Sequence, residues 1–166
     1  MSAVAIARAR TPEDVAACKA LFQEYAASLA FSLCFQNFDR EMAEFPGAYG
    51  APDGALLLAK VDGKPMGAVG LWSLGDGIAE MKRLYVRPAA RGLKLGRNLA
   101  EALIVEAVAL GYRVMRLDTL ETMTRAIPLY RSLGFVNIAP YTFNPIAGAQ
   151  YFELDLGTHK PRAATP

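Results

Sequence analysis

The sequence predicts an α+β fold built on one mixed sheet, in the element order β-α-α-β-β-β-α-β-α-β-β. Three observations carry this prediction. Residues 55–74 have the composition and the turn of a β-hairpin, residues 12–29 repeat apolar side chains at helical spacing, and two strand–helix units follow residue 78. The chain has 166 residues, of which 53% are hydrophobic, so it is large enough to bury one core.

The first two elements are a strand and a helix. The segment "VAIARAR" alternates as a half-buried strand does. Thr11 then provides a helix N-cap, with Pro12 at the first helical position and acidic residues at the next two. The apolar residues that recur on one face of this helix are Val15, Cys18, Phe22, Tyr25 and Leu29. A short second helix is predicted to end at Phe45, and the loop "PGAYGAPDG" follows it.

The middle of the chain predicts three antiparallel strands. The runs "ALLLAKV" and "MGAVGLWSL" flank the turn "DGKP", which is the residue pattern of a hairpin. A second turn, "GDG", leads to the strand "IAEMKRLYV". Pro88 ends this strand because proline lacks the N–H that a strand ladder needs.

The C-terminal half adds two helices and three strands. One helix runs to about Leu110, where Gly111 ends it, and "RVMRLDTL" is the strand that follows. The segment "TRAIPLYRSL" is a short helix ending at Gly134, and "FVNIAPY" and "AQYFELDL" are the last two strands. Since no repeat or internal boundary interrupts this order, we expect a single domain over 1–157 and a flexible C-terminal tail over 158–166.

Composition argues against several classes of function. The net charge is +2 with no basic stripe, so we expect no nucleic-acid partner. The apolar stretches are too short to cross a bilayer, and the N-terminus has no apolar signal core, so we expect a cytoplasmic protein without a membrane partner. The two cysteines make no metal-ligand pattern and His159 is alone, so we expect no metal site.

The segment "RGLKLGRNLAEAL", residues 91–103, predicts an anion-binding loop. Two glycines and three cations run into a helix, and backbone N–H groups of residues 93–97 can converge on one point there. The Walker and dinucleotide-binding glycine patterns are both absent, which favours a phosphorylated ligand of another kind. A strand–helix turn that merely needs glycine is the alternative, and the spacing alone does not decide between them.

Two further residues are candidates for chemistry. Glu80 lies within the apolar strand "IAEMKRLYV", where a carboxylate must be solvated, paired or functional. Tyr130 lies near the end of a predicted helix in "LYRSLGF". It is either a core residue or an acid with a hydroxyl pKa near 10.

The segments "EMKRLYVRPAARGLKLGRNL" and "TRAIPLYRSLGF" resemble the GNAT family of N-acetyltransferases, which move an acetyl group from acetyl-CoA to an amine. The family's pyrophosphate loop has Arg or Gln, two residues, Gly, one residue, then Gly or Ala. Arg91 and Gly96 match this pattern, and Lys94 replaces the first glycine, which predicts that residue 94 needs no left-handed backbone. Met123 stands where many members have an asparagine that contacts the pantetheine arm, so that contact is not expected here.

The resemblance implies a three-layer fold with a mostly antiparallel central sheet, and it implies roles for particular residues. Glu80 would be the general base and Tyr130 the acid that protonates the leaving thiolate. The amine would attack directly in a ternary complex, without an acyl-enzyme. The backbone of Leu84, Tyr85 and Val86 would pair with the pantetheine arm. The residues implied to hold the CoA pyrophosphate are Arg91, Gly92, Leu93, Lys94, Leu95, Gly96 and Arg97.

The acceptor is less well defined by the sequence. The regions that bind it in the family are apolar here, which favours a small primary amine or an amino-acid-like acceptor over a basic peptide. The polar residues in those regions are Glu24, Ser28, Ser32, Gln36 and Asn144. A non-catalytic CoA-sensing module, acetylation of a protein or peptide amine, a phosphate-binding transferase of another kind and a nucleotide-binding protein are the alternatives. A homodimer through an edge strand or the last hairpin also stays open.

Overall fold

The computed structural model describes residues 2–158 and contains the predicted elements in the predicted order. Residues 159–166, including His159 and most of the predicted tail, lie outside the described residues. The elements are β1 Val4–Arg8, α1 Pro12–Ser28, α2 Phe38–Ala43, β2 Ala55–Val61, β3 Lys64–Gly75, β4 Ile78–Val86, α3 Leu95–Ala109, β5 Val114–Leu120, α4 Ala126–Ser132, β6 Val136–Ile138 and β7 Ala149–Asp155. Short 3-10 turns lie at Cys34–Gln36, Gly47–Tyr49 and Pro88–Ala90.

The seven strands form one open sheet in the order β1-β2-β3-β4-β5-β7-β6. Every neighbouring pair in the sheet is antiparallel except β4 and β5, which are parallel. The connection between these two strands is α3, as a parallel crossover requires. The predicted mixed, mostly antiparallel sheet is therefore confirmed.

Helix α1 begins and packs as its sequence predicts. The Thr11 side chain accepts a hydrogen bond of 3.1 Å from the backbone N–H of Asp14, and Pro12 opens the helix. Its buried residues are Cys18, Leu21 and Phe22. Helix α2 ends at Ala43 instead of the predicted Phe45, because residue 45 precedes Pro46, which disfavours a helical backbone there.

The sheet has a hydrophobic core on each face. On one face, α1 and α2 cover a cluster that contains Phe22, Met42 and Tyr49. On the other face, α3 and α4 cover a larger cluster that contains Leu99, Leu103 and Ile127. Helices on both faces of one sheet make the expected three-layer arrangement. Within residues 2–158, no helix combines the length and the apolarity needed to span a bilayer.

The parallel pair β4–β5 is the feature that creates the site. Its pairing covers only three positions and stops where Glu80 faces Arg116. A bulge in β4 increases the divergence: Ala68 faces Tyr85 and Gly70 faces Lys82, so β4 holds extra residues against β3 there. Arg83 lies in this bulge with a left-handed φ of 61°. Beyond residue 80 the two strands therefore separate and leave an opening between them.

Candidate active site

The opening between β4 and β5 contains a small cavity of about 50 Å³. Its walls are residues 81–83 of β4 and residues 118–120 of β5, and side chains from α1, the first 3-10 turn and the loop after β6 cover it. An open groove of about 480 Å³ lies beside it and runs to the start of α3. Tyr25 and Met123 line both spaces, so the groove leads directly to the cavity.

The start of α3 presents backbone donors to the groove. Lys94, Leu95 and Gly96 line the groove, and N–H groups in the first turn of a helix have no intrahelical acceptor. The prediction that Lys94 needs no left-handed backbone is wrong, since its φ is 58° and its ψ is 26°. Lys94 is the N-cap residue of α3 and follows the turn at residues 91–93. A left-handed residue followed by helical ones makes a concave array of N–H groups that binds anions.

The other predicted loop residues divide into two groups. Arg91 and Gly92 line the groove. Leu93 does not line it: its N–H donates to the carbonyl of Ala90 at 3.4 Å, and its side chain is exposed. The Arg97 guanidinium is directed away, with an ion pair of 3.0 Å to Glu101 and a hydrogen bond of 2.8 Å to Ser132.

The end of β4 forms another wall of the groove. Leu84, Tyr85 and Val86 all line it. In the described part of the chain, their strand pairs with β3 on one side and has no β5 partner on the other. The free edge therefore offers backbone N–H and carbonyl groups to an extended ligand with amide groups of its own.

Glu80 is buried at the far end of the opening, with 4% of its surface exposed. Its Oε1 accepts a hydrogen bond of 2.8 Å from the Trp72 indole, and its Oε2 accepts one of 2.5 Å from the Tyr141 hydroxyl. The Lys82 ammonium lies 3.6 Å from Oε1. Each carboxylate oxygen of Glu80 therefore already has a donor, and the side chain is held in one orientation.

The cavity also contains charged residues that sequence reasoning missed. Lys82 and Asp118 line it, and the Lys82 ammonium lies 4.0 Å from the Asp118 carboxylate. Arg83 forms an ion pair of 3.1 Å with Glu41 of α2. A signal for two of them was present in the sequence, because Lys82 and Asp118, like Glu80, are charged residues within apolar strands.

Tyr130 is buried on α4, and its ring packs against Phe135 and Phe152. Burial raises the pKa of its hydroxyl well above 10, and the nearby Tyr25 and Asp118 raise it further. Both of these neighbours line the cavity. The hydroxyl is therefore a protonated donor close to the cavity, with a pKa above the ordinary value near 10.

Of the predicted acceptor residues, two lie together in the cavity and the other three do not. Asn144 and Gln36 line the cavity, and both donate hydrogen bonds to Asp118, at 3.1 and 3.5 Å. Glu24 instead accepts from Arg87 at 2.9 Å, and this hydrogen bond lowers the pKa of its carboxyl. This pairing joins α1 to the end of β4, and the Glu24 carboxylate is already bonded to Arg87.

The two serines are also used within their own segments. The Ser28 hydroxyl donates to the carbonyl of Tyr25, and Ser28 lines the groove rather than the cavity. Ser32 is exposed and accepts a hydrogen bond from the N–H of Cys34. No group of three or more metal-ligating side chains occurs within residues 2–158.

Comparison with known proteins identifies the family. Residues 18–135 match the acetyltransferase (GNAT) family. The chain belongs to the GNAT acetyltransferase family. An uncharacterized N-acetyltransferase of Schizosaccharomyces pombe is 42% identical to this GNAT protein over 157 residues, which cover 93% of this chain and 96% of that protein. An uncharacterized N-acetyltransferase of Dictyostelium discoideum is 31% identical and covers 80% of this chain and 90% of its own.

Solved structures agree with this GNAT assignment. The structure of YncA from Salmonella typhimurium, solved with its cofactor acetyl-CoA, matches with a TM-score of 0.70 and 26% identity, covering 97% of this chain and 99% of that chain. A GNAT acetyltransferase of Staphylococcus aureus has a TM-score of 0.74 at 19% identity, covers 93% and 99% of the two chains, and shows the shared fold. By family, the protein is an acyl-CoA-dependent N-acetyltransferase that uses acetyl-CoA as its donor.

Proposed function

We propose that this GNAT enzyme acetylates the primary amine of a small molecule or of an amino-acid-like acceptor, by direct attack of the amine in a ternary complex. The observation that carries the proposal is the small cavity at the opening between β4 and β5, which is reached from the groove that runs to the start of α3. Its lining combines apolar and aromatic side chains with a few polar and charged ones, as the lining of small-ligand sites does.

The groove has the features that the acyl donor needs. The free edge at Leu84, Tyr85 and Val86 can pair with the amides of the pantetheine arm. The first-turn N–H groups of α3, with the cations of Arg91 and Lys94, can bind the pyrophosphate. A Cβ atom built on Gly92 meets no protein atom within 4 Å, so this part of the loop is open to a ligand.

The acceptor side favours a small amine over a peptide. The cavity is covered by Tyr25 of α1 and by Gln36 and Asn144, which narrows the space available to a long chain. The charged side chains that line it are Lys82, Arg83 and Asp118. An acceptor ammonium has a pKa near 10.4 and must lose a proton before its nitrogen can attack, so a carboxylate at this position has a chemical use.

Tyr130 and Glu80 have different roles in this proposal. The Tyr130 hydroxyl keeps its proton at neutral pH, so it can donate a hydrogen bond to the departing sulfur. An N–H at the β4 edge would polarise the thioester carbonyl, a contribution of about 3 kcal/mol by analogy with other oxyanion donors. Each oxygen of Glu80 accepts one hydrogen bond, from Trp72 or from Tyr141, and retains a second lone pair that can accept a proton.

The experiment that tests the proposal has two stages. Thermal unfolding is followed with acetyl-CoA, CoA, ATP and NAD at equal concentrations, and a ligand at a hundredfold excess over its Kd adds about 2.7 kcal/mol. For a chain of this size, this corresponds to a rise in Tm of roughly 5–10 °C. We expect the rise with the two CoA species alone, followed by amine-dependent release of free thiol from acetyl-CoA. Binding of CoA without thiol release to any primary amine of a broad panel would contradict the small-amine acceptor.

A further inference from the structure

The buried charges around the cavity do not balance. Five ionisable side chains meet there, and their side-chain exposures are all between 3% and 8%. They are the cations of Lys82 and Arg83 and the carboxylates of Glu41, Glu80 and Asp118. Two cations face three carboxylates, which leaves one excess negative charge. A charge withdrawn from water is costly unless a partner compensates it.

The excess is located on the pair of carboxylates that share Lys82. Arg83 and Glu41 form a closed pair, with contacts of 3.1 and 3.4 Å between guanidinium and carboxylate. The Lys82 ammonium lies 3.6 Å from Glu80 and 4.0 Å from Asp118. Among the described residues, one lysine therefore serves two carboxylates, since Arg116, which lies opposite Glu80 in β5, is paired with Glu153.

Glu80 and Asp118 differ in what their oxygens bind. Each Glu80 oxygen accepts a good hydrogen bond, from Trp72 or Tyr141. For Asp118, Oδ2 accepts from Asn144 and Gln36, whereas the contact found for Oδ1 among the described residues is Lys82 at 4.0 Å, beyond hydrogen-bond distance. Asp118 lines the cavity between β4 and β5, whereas Glu80 lines a neighbouring pocket on the side of Trp72.

We propose that Asp118, and not Glu80, binds the ammonium group of the acceptor and accepts its proton. The inference rests on the proposed function, and it names the residue that recognises the acceptor. The acceptor ammonium supplies the missing cation at Oδ1 of Asp118. Asn144 and Gln36 hold the carboxylate through Oδ2, and among the described residues no side chain donates a hydrogen bond to Oδ1.

The proposed reaction conserves protons and electron pairs. The ammonium transfers one proton to Oδ1 of Asp118, and the freed nitrogen lone pair forms a bond to the acetyl carbon. The carbon–sulfur bond breaks, and its electron pair stays on sulfur. The second proton of the reacting nitrogen passes to that sulfur, assisted by the Tyr130 hydroxyl. The products are the acetamide, CoA with a free thiol, and one proton that Asp118 returns to solvent.

Other titratable groups face Asp118 from every element around it. They are Glu80, Lys82 and Arg83 of β4, Tyr25 of α1, Tyr130 of α4, Tyr141 of the loop after β6, and Tyr151 of β7. Burial raises the pKa of each of these four tyrosines, so they stay protonated between pH 6 and 9. Between pH 6 and 9, the pH dependence of the rate should therefore change in Asp118→Asn and stay unchanged in Glu80→Gln. Such a difference would be attributable to Asp118.

The kinetic test compares Asp118→Asn with Glu80→Gln as its matched control. We expect Asp118→Asn to lower kcat/KM for the amine by 100-fold or more, with an unchanged Kd for acetyl-CoA. Its residual rate should rise about tenfold per pH unit, because the acceptor must now lose its proton to solvent, whereas Glu80→Gln should keep the flatter wild-type profile. The reverse pattern, or an Asp118→Asn enzyme within threefold of the wild type, would overturn the inference.

A second measurement needs no acceptor. Removing the excess charge should leave the Tm of the ligand-free Asp118→Asn protein equal to or above that of the wild type, while Glu80→Gln, which disturbs two good hydrogen bonds, should lower it. A Tm of Asp118→Asn several degrees below the wild type would make Asp118 a structural partner of Lys82 and overturn the inference. If no amine is acetylated but the Tm of Asp118→Asn is unchanged or raised, the small-amine acceptor of the proposed function is excluded. The excess negative charge at Asp118 is then still supported.

Discussion

The Tyr141 hydroxyl donates a 2.5 Å hydrogen bond to the Glu80 carboxylate across 61 positions of the sequence. This contact ties the loop after β6 to the centre of the sheet. Glu80 is buried, so each donor it has compensates for the water it lost on folding. Its orientation therefore depends on the loop that precedes the last strand.

Replacing Tyr141 with phenylalanine should lower the free energy of unfolding by about 1–3 kcal/mol, because one oxygen of a buried carboxylate loses its donor. Burial raises the pKa of Tyr141, and the charge of Glu80 raises it further. Above pH 10 the unfolded chain loses this phenol proton while the folded chain keeps it, so the free energy of unfolding falls as pH rises. In Tyr141→Phe this fall should be shallower, by up to about 1.4 kcal/mol per pH unit, in urea unfolding between pH 9.5 and 11. A parallel pH dependence in the two proteins would contradict the assignment.

The buried ion pair between Arg83 and Glu41 should be costly to break. Glu41→Gln leaves the Arg83 guanidinium buried without its counter-charge, and we expect a loss of about 3 kcal/mol in the free energy of unfolding. The neighbouring pair of Arg40 in α2 and Glu44 at the C-cap of that helix is exposed and serves as the matched control. Glu44→Gln should cost no more than about 0.5 kcal/mol. Equal costs for the two variants in chemical denaturation would show that burial does not decide the strength of the first pair.

Lys94 combines a strained backbone with a charge at the anion loop. A non-glycine residue in the left-handed region costs about 1 kcal/mol, so Lys94→Gly should stabilise the free protein by roughly that amount and Lys94→Ala should not. Both variants lose the ammonium, and both should weaken acetyl-CoA binding to a similar extent, about threefold to tenfold. Calorimetric titration and thermal unfolding of the pair separate the two effects. A higher affinity in Lys94→Gly than in the wild type would exclude a role of the charge.

Arg91 and Arg97 should differ in their effect on the donor. Arg91 lines the groove, whereas the Arg97 side chain is engaged with Glu101 and Ser132. Arg91→Ala should raise the Kd for acetyl-CoA at least tenfold, because a charge-assisted contact to phosphate is lost. Arg97→Ala keeps its backbone N–H and should change the Kd less than threefold. Normal acetyl-CoA affinity in Arg91→Ala would contradict the placement of the pyrophosphate.

Tyr130→Phe should lower kcat by 10-fold to 100-fold with little change in the Kd for acetyl-CoA. Phenylalanine preserves the packing on Phe135 and Phe152, so the variant removes the hydroxyl and little else. Steady-state turnover and a direct binding titration test the two halves of the expectation. An unchanged kcat would remove the Tyr130 hydroxyl from the chemistry.

Local chemistry in the sequence determined the order of the elements. Thr11 and Pro12 mark the start of α1, glycine turns separate the central strands, and apolar periodicity distinguishes strands from helices. All of these act between residues that are close in the chain, which is why they can be read without the fold. The two segments that resemble the GNAT family lie within residues 80–135, and the family match covers that range.

Tertiary structure alone decided which side chains share the site. The sequence marked Glu80 as a carboxylate in an apolar strand, but its donors come from β3 and from the loop before β7. Asp118 is likewise a carboxylate within an apolar strand, β5. It lies near Lys82 because β4 and β5 are neighbouring strands that separate after three paired positions. Glu24 is held by Arg87, 63 positions away. These partners depend on sheet order and on the divergence of two strands, which no local pattern contains.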